Sequence, residues 1–285
     1  NPLIMRIDSH HHIWDLNVRP QTWMQGDELK PISRTILMNE LEPELDKASI
    51  NYTVIVQTVP LVDETPELLD LSISHQKVCA VVGWLDLESE DIRPQLEKYL
   101  SHPGGKKLVS IRDMAQDKDD PNWLIRDDVV KNVHRIADAG LTFDILTKPP
   151  QLAAAVKLVK QSPNNIFVLD HISKPYIAKG EMQPWADQIS EIASYENVSV
   201  KVSGLFTEAN WSDWSNKSFK PYLNHILKSF TPDRMMFGSD WPVCLLAATY
   251  SQTIDLMEEF TKEFSKAEQE SFWSGTVKRS YRLKV

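Results

Sequence analysis

A single-domain (β/α)8 barrel, of the TIM-barrel class, is the fold that the sequence predicts, on three observations. Eight short β-rich runs recur along the chain, each followed by a helical stretch. Most of these runs are near-continuous in valine, isoleucine and leucine, the pattern of parallel strands covered on both faces. The 285 residues suit eight such units in one domain, residues 1–285, and a 42% hydrophobic share is enough for its core. An open doubly wound sheet shares the alternation. No Gly-x-Gly-x-x-Gly follows the first strand, which disfavours its dinucleotide-binding form.

The first strand is expected over 6–12, "RIDSHHH". Residues 17–34 follow without periodicity and read as a long loop, a lid or wall over the barrel mouth. The first helix is expected over 36–49 and the second strand over 52–59. In Thr65-Pro66-Glu67, Thr65 reads as an N-cap and Pro66 as the first residue of a helix over 66–76. Strands over 78–86 and 108–114 flank a helix over 91–100. A helix over 122–139 ends before Gly140, where a left-handed residue would stop it. Further strands are expected over 141–147, 165–172, 198–205 and 235–241, and helices over 151–161, 185–195 and 219–230. Two more helices, 251–264 and 266–281, close the chain, the second opened by the capping box Ser265-Lys266-Ala267-Glu268.

The charge balance, 31 basic against 40 acidic residues for a net −9, with only short basic runs such as Lys106-Lys107, argues against a nucleic-acid partner. No apolar run approaches the ~18 residues of a membrane span. The N-terminus lacks a signal-peptide pattern. Met5 reads as the native start, with 1–4 an addition. Cys79 and Cys244 lie far apart in apolar surroundings; they read as free thiols of a cytoplasmic protein and form no cysteine-based zinc motif.

In a barrel of this kind, chemistry sits at the C-terminal ends of the strands. Side chains alternate along a strand, so His10 and His12 share a face, about 6.7 Å apart at their α-carbons, while His11 turns towards the helix layer or a loop. The same strand-end argument selects His171 in "VLDHISKP", Asp240 in "FGSDWP", and Arg112 with Asp113 in "SIRDM". Lys201 is placed deeper on the seventh strand and Ser203 higher. Buried histidines satisfied locally, and an Asp240 that merely caps the next turn, are the plainer readings of these residues. Barrel closure favours the functional one, because it sets strand 8 and Asp240 beside His10 and His12.

These motifs resemble the amidohydrolase superfamily: Asp-x-His-x-His in "DSHHH", then "LDHISKP" and "FGSDWPV", on the expected strands and over nearly the whole chain. Within it, "VVGWLDL", "DPNWL", "FDIL" and "KVSGLFTEA" are most similar to the branch of sugar-lactone hydrolases related to L-fucono- and L-rhamnono-lactonases and 2-pyrone-4,6-dicarboxylate lactonase. Where many of that branch have Ile-Arg-His on strand 4, this chain has Ile111-Arg112-Asp113. The lysine or glutamate that bridges two metals in binuclear members is absent from "LVSIRDM", and "LTFDILT" lacks the strand-5 histidine of mononuclear members. The resemblance therefore implies at most one divalent ion, zinc or manganese, held by His10, His12 and Asp240, with His171 joining only off-centre. Because the branch includes members that work without metal, the ion is expected to be dispensable.

The resemblance implies a hydrolase that opens a small sugar lactone. Asp240 would be general base on water, His10, His12 and His171 would polarise the carbonyl, and Arg112, with Asp113 beside it, would hold the substrate. Trp14, Trp84, Trp123 and Trp241 are candidate stacking walls, each with core packing as its plainer reading. The loops 17–34 and 206–218 are expected to shape specificity. Two rivals stand beside this reading. One is a metal-dependent decarboxylase of the same superfamily, and the other is a non-catalytic barrel that binds a sugar acid.

Overall fold

In a computed structural model that describes residues 3–285, the eight expected strands form one parallel sheet in sequence order. Asn1 and Pro2, part of the expected leading addition, lie outside the described residues. The strands are β1 (Ile7–His11), β2 (Tyr52–Val56), β3 (Val78–Gly83), β4 (Leu108–Asp113), β5 (Thr142–Ile145), β6 (Phe167–Leu169), β7 (Val198–Val202) and β8 (Met235–Phe237). Their burial on both faces explains the unbroken apolar runs. Closure uses the chain just beyond the strands: the His12 amide donates to the Trp241 carbonyl and the Asp240 amide to the His10 carbonyl, each at 2.8 Å. These bonds bring the ends of β1 and β8 together and carry His10, His12 and Asp240 to one place.

Every strand is shorter than the sequence suggests, and several stop at the chemistry. β6 ends at Leu169, and His171 to Lys174 then run through four consecutive left-handed residues, φ 53°, 47°, 60° and 48°. Asp240, beyond β8, is left-handed too, at φ 56°. Left-handed backbone costs a non-glycine residue roughly 1–2 kcal/mol. The fold bears that cost where these side chains must leave strand geometry to face the barrel mouth.

The helices are α1 (Met38–Lys47), α2 (Glu64–Ser74), α3 (Arg93–Leu100), α4 (Asp127–Asp138), α5 (Pro149–Lys160), α6 (Trp185–Ala193), α7 (Asn216–Phe230), α8 (Tyr250–Thr261), α9 (Lys266–Glu270) and α10 (Thr276–Tyr281). The Ser265 capping box forms as expected, and Gly140 takes φ 79° after α4. Thr65 is not an N-cap. Helix α2 starts earlier, and the Thr65 hydroxyl accepts from the Trp84 amide at 3.1 Å. The helix expected over 122–139 is also split. Trp123–Ile125 forms a separate turn and Arg126 is extended before α4. Helix α10 covers the floor of the barrel: Val277 and Tyr281 pack with the inward layer of Ile7, Val54, Val56, Ala80, Val82, Val168 and Met236. No helix among the described residues is long and apolar enough to cross a membrane. Both cysteines are free, and burial raises each thiol above its ordinary range.

Candidate active site

At the barrel mouth, Asp240 Oδ1 lies 3.4 Å from His12 Nε2, 3.7 Å from His10 Nε2 and 3.8 Å from His171 Nε2. His10 and His12 meet at their Nε2 atoms, 3.2 Å apart. The expected grouping of all four residues is therefore present. His11 stays outside it, with Nε2 bonded to Thr53 Oγ1 at 2.9 Å. Burial lowers the ionisation points of His10, His11 and His171, with Lys201 adding to the effect at His10, Asp240 opposing it at His171, and His11 lowered to about 3. Burial alone would raise Asp240. His171 first and Lys174 among its neighbours work against it, and the carboxyl lies at about 2, so Asp240 is ionised at neutral pH.

Above this group opens a cavity of about 520 Å³. His12, His171, Asp240, Arg112 and Asp113 line it, as expected, and Lys118, Lys174 and Trp23 join them. His10 does not; it is fully buried beneath. Arg112 is held rigidly: Nε donates to Gln57 Oε1 at 2.7 Å, Nη2 to the Gln57 carbonyl at 2.8 Å, and Nη1 to Asp170 Oδ2 at 3.1 Å. Asp113 is raised by burial, with Lys118 3.5 Å away partly offsetting it. Ser203 bonds His171 Nδ1 at 2.8 Å, which fits its expected higher position.

The tryptophan expectations need correction. Trp14, Trp84, Trp123 and Trp241 are buried and none lines the cavity. Trp14 uses its indole N–H on the Ile32 and Arg34 carbonyls. Trp84 sits behind Asp113, Trp123 lies under the Lys118 ammonium, and Trp241 serves barrel closure. The aromatic wall is Trp23, from the 17–34 loop, braced edge-on by Trp14 at 5.4 Å. That loop was expected as a wall, and it supplies Thr22 and Trp23; the 206–218 loop supplies nothing to the lining. Trp23 lies in an aperiodic segment, so no pattern singled it out. Trp23→Ala should raise KM roughly fivefold and leave kcat nearly unchanged, the scale of ~1 kcal/mol of lost aromatic contact. Steady-state kinetics on a lactone would show this, and an unchanged KM would remove Trp23 from the site.

Sequence reasoning placed Lys201 deep on the seventh strand but missed the charged layer that it forms with Asp144 and Asp170 below the histidines. Lys201 Nζ lies 3.0 Å from His10 Nδ1, 3.1 Å from Asp144 Oδ2 and 3.6 Å from Asp170 Oδ1, all fully buried. Tyr281 and Ser110 donate to Asp144 at 2.7 to 2.9 Å. Burial raises Asp170, while Lys201 and Arg112 pull it back. The available signal was a lone charge inside each apolar run: Asp144 in "TFDI", Asp170 after "FVL" and Lys201 in "VSVKV".

A four-coordinate ion with bonds near 2.1 Å keeps its ligand atoms about 3.4 Å apart. The His10, His12 and Asp240 edges, 3.2, 3.4 and 3.7 Å, match that spacing, so this buried trio could hold a metal ion.

The sequence pattern of the amidohydrolase family matches residues 7–283. An L-fucono-1,5-lactonase of Burkholderia multivorans is 33% identical over 98% of this chain and 96% of its own length. A second, from Burkholderia ambifaria, is 34% identical over 87% of this chain and 84% of its own. A crystal structure of a Burkholderia multivorans amidohydrolase with bound zinc superposes with a TM-score of 0.92 at 32% identity, covering 98% of this chain and all of that one.

Proposed function

The chain belongs to the amidohydrolase family, and from that premise we propose that it is a lactonase that opens the ring ester of a small aldonolactone. The observation that carries this reading is the carboxylate of Asp240 set among three imidazoles at the foot of a substrate-sized cavity. The class of lactone is taken from the relatives, whose names specify L-fucono-1,5-lactone.

Hydrolysis needs a polarised carbonyl, a water and a proton acceptor. Asp240, ionised and lining the cavity, takes the proton of the attacking water. His171 lines the same cavity, and with Nδ1 bonded to Ser203 it can present an Nε2–H to the oxygen on which charge develops, while His12 lines the wall beside it. His10, beneath them, positions His12 through their 3.2 Å contact. Arg112 holds a substrate hydroxyl with the donors its internal bonds leave free. When the tetrahedral adduct collapses, the ring C–O bond breaks and Asp240 returns its proton to the leaving alkoxide. The products are one carboxylic acid and one hydroxyl on the same chain. When bound by His10, His12 and Asp240, a divalent ion would supply Lewis-acid polarisation of the carbonyl.

The ion is dispensable in this reading, because His171 can donate to the carbonyl oxygen from the cavity wall without one. Exhaustive chelation should leave a substantial fraction of activity. Complete loss that stoichiometric zinc or manganese restores would make the ion obligatory. The function itself is tested by proton release from a panel of aldonolactones with purified protein. Acidification without CO2 is expected. Evolution of CO2 from an aromatic acid would indicate a decarboxylase. Binding of aldonates without turnover would indicate a carrier.

A further inference from the structure

We propose that Lys201 fixes the two strand-1 imidazoles in a one-way hydrogen-bond chain, in which His10 carries its proton on Nε2 and is thereby disfavoured as a metal ligand. The inference concerns ring tautomers and holds whichever lactone is turned over.

The two ends of the chain determine its direction. At one end, Lys201 Nζ lies 3.0 Å from His10 Nδ1. Asp144 at 3.1 Å and Asp170 at 3.6 Å flank the ammonium, and an ammonium can only donate. His10 Nδ1 therefore accepts, and the proton of the neutral ring sits on Nε2. At the other end, His12 Nδ1 is 2.8 Å from the Val56 carbonyl, which can only accept. His12 therefore donates from Nδ1 and keeps a lone pair on Nε2. The two Nε2 atoms face each other at 3.2 Å with one proton between them. Every contact in the run Lys201, His10, His12, Val56 has one donor and one acceptor.

A metal-ligating histidine usually gives its second ring N–H to a carboxylate, a carbonyl or water. His12 meets that pattern through Val56, and His10 meets its reverse. To offer a lone pair from Nε2, His10 would carry its proton on Nδ1, 3.0 Å from an ammonium. Lys201 cannot turn aside, because Asp144 is itself pinned by Ser110 and by Tyr281 from α10. Lys201 is thus a positioning residue that biases the site towards its metal-free form.

Long-range proton–nitrogen spectra of metal-free protein carrying nitrogen-15 histidine test the chain directly, with His10 and His12 assigned from His10→Asn and His12→Asn. The expected result is a protonated Nε2 and bare Nδ1 at His10, with the reverse at His12. A protonated Nδ1 at His10 would overturn the proposal. Zinc affinity, measured by competition with a chromogenic chelator, tests the bias. Lys201→Met should bind zinc about 10- to 100-fold more tightly, the scale on which a supporting partner of the second nitrogen matters to metal affinity, here gained by removing an opposing one. Lys201→Gln, whose amide can turn its oxygen to Nδ1, is expected to move the same way and serves should the methionine variant not fold. Unchanged or weaker zinc binding in the folded variant counts against the bias.

Discussion

Asp240→Asn should lower kcat by about 10²–10⁴-fold, the usual worth of a positioned general base, with KM little changed. The amide keeps the shape of the carboxylate beside His12 but cannot take a proton from water. The neighbouring groups hold Asp240 ionised, at about 2. A carboxylate so acidic is a weak base towards free water. It becomes effective only once the water has begun to bond to the carbonyl carbon and gained positive character, which makes carbonyl polarisation by His171 an equal partner in the step. The sign for pH follows. A lowered ionisation point keeps the base competent as pH falls, so this group alone should leave the wild-type rate flat down to about pH 4, two units above its midpoint. An inflection near neutrality that disappears in Asp240→Asn would contradict that. Asp113 and Asp117 are the other carboxylates on the cavity wall, and Asp113, at the end of β4, is raised rather than lowered by burial. Full activity in Asp240→Asn together with a dead Asp113→Asn would move the base to β4.

The strands and their order were legible because parallel strands buried on both faces must be apolar throughout, and the chain has eight such runs. His10 and His12 followed from the two-residue period of a strand, and Asp240 from the rule that a closed barrel makes its first and last strands neighbours. The sequence overstates the strand ends because continuous apolar residues do not show where the backbone leaves the sheet. His171–Lys174 and Asp240 depart through left-handed conformations that no residue type in those segments announces. Trp23 escaped notice for a related reason: its loop has no period, and its place is set by tertiary contact with Trp14. The tryptophans that sequence favoured are large apolar groups in apolar runs, and burial claimed them. Asp144 and Lys201 are visible as lone charges in strands, and Asp170 as one just beyond a strand. Their mutual pairing across β5, β6 and β7 became evident only from the three-dimensional register.

Arg112→Met should reduce kcat/KM by roughly 10–1,000-fold, the scale of one lost charge-assisted contact plus substrate misplacement. It should also destabilise the protein. Three bonds tie the guanidinium to Gln57 and Asp170, and Asp170 Oδ1 already has no hydrogen-bond donor among the described residues. Removing Arg112 leaves Asp170 with Lys201 alone, at 3.6 Å. Breaking a buried pair from one side typically costs about 3–5 kcal/mol. For a chain somewhat larger than the usual calibration set, that corresponds to a fall in Tm of roughly 10 °C. The two effects separate when kinetics are measured well below the new Tm. Arg112→Lys keeps the charge against Asp170 but loses the planar fork that reaches Gln57 and the cavity together. It should therefore recover much of the stability and little of the activity. If Arg112→Met loses stability yet keeps wild-type kcat/KM across the lactone panel, Arg112 braces the wall of the cavity and touches no substrate. If free guanidinium added to Arg112→Met raises its rate, the lost contact was with the substrate, because a diffusible cation can refill the cavity edge without rebuilding the buried pair.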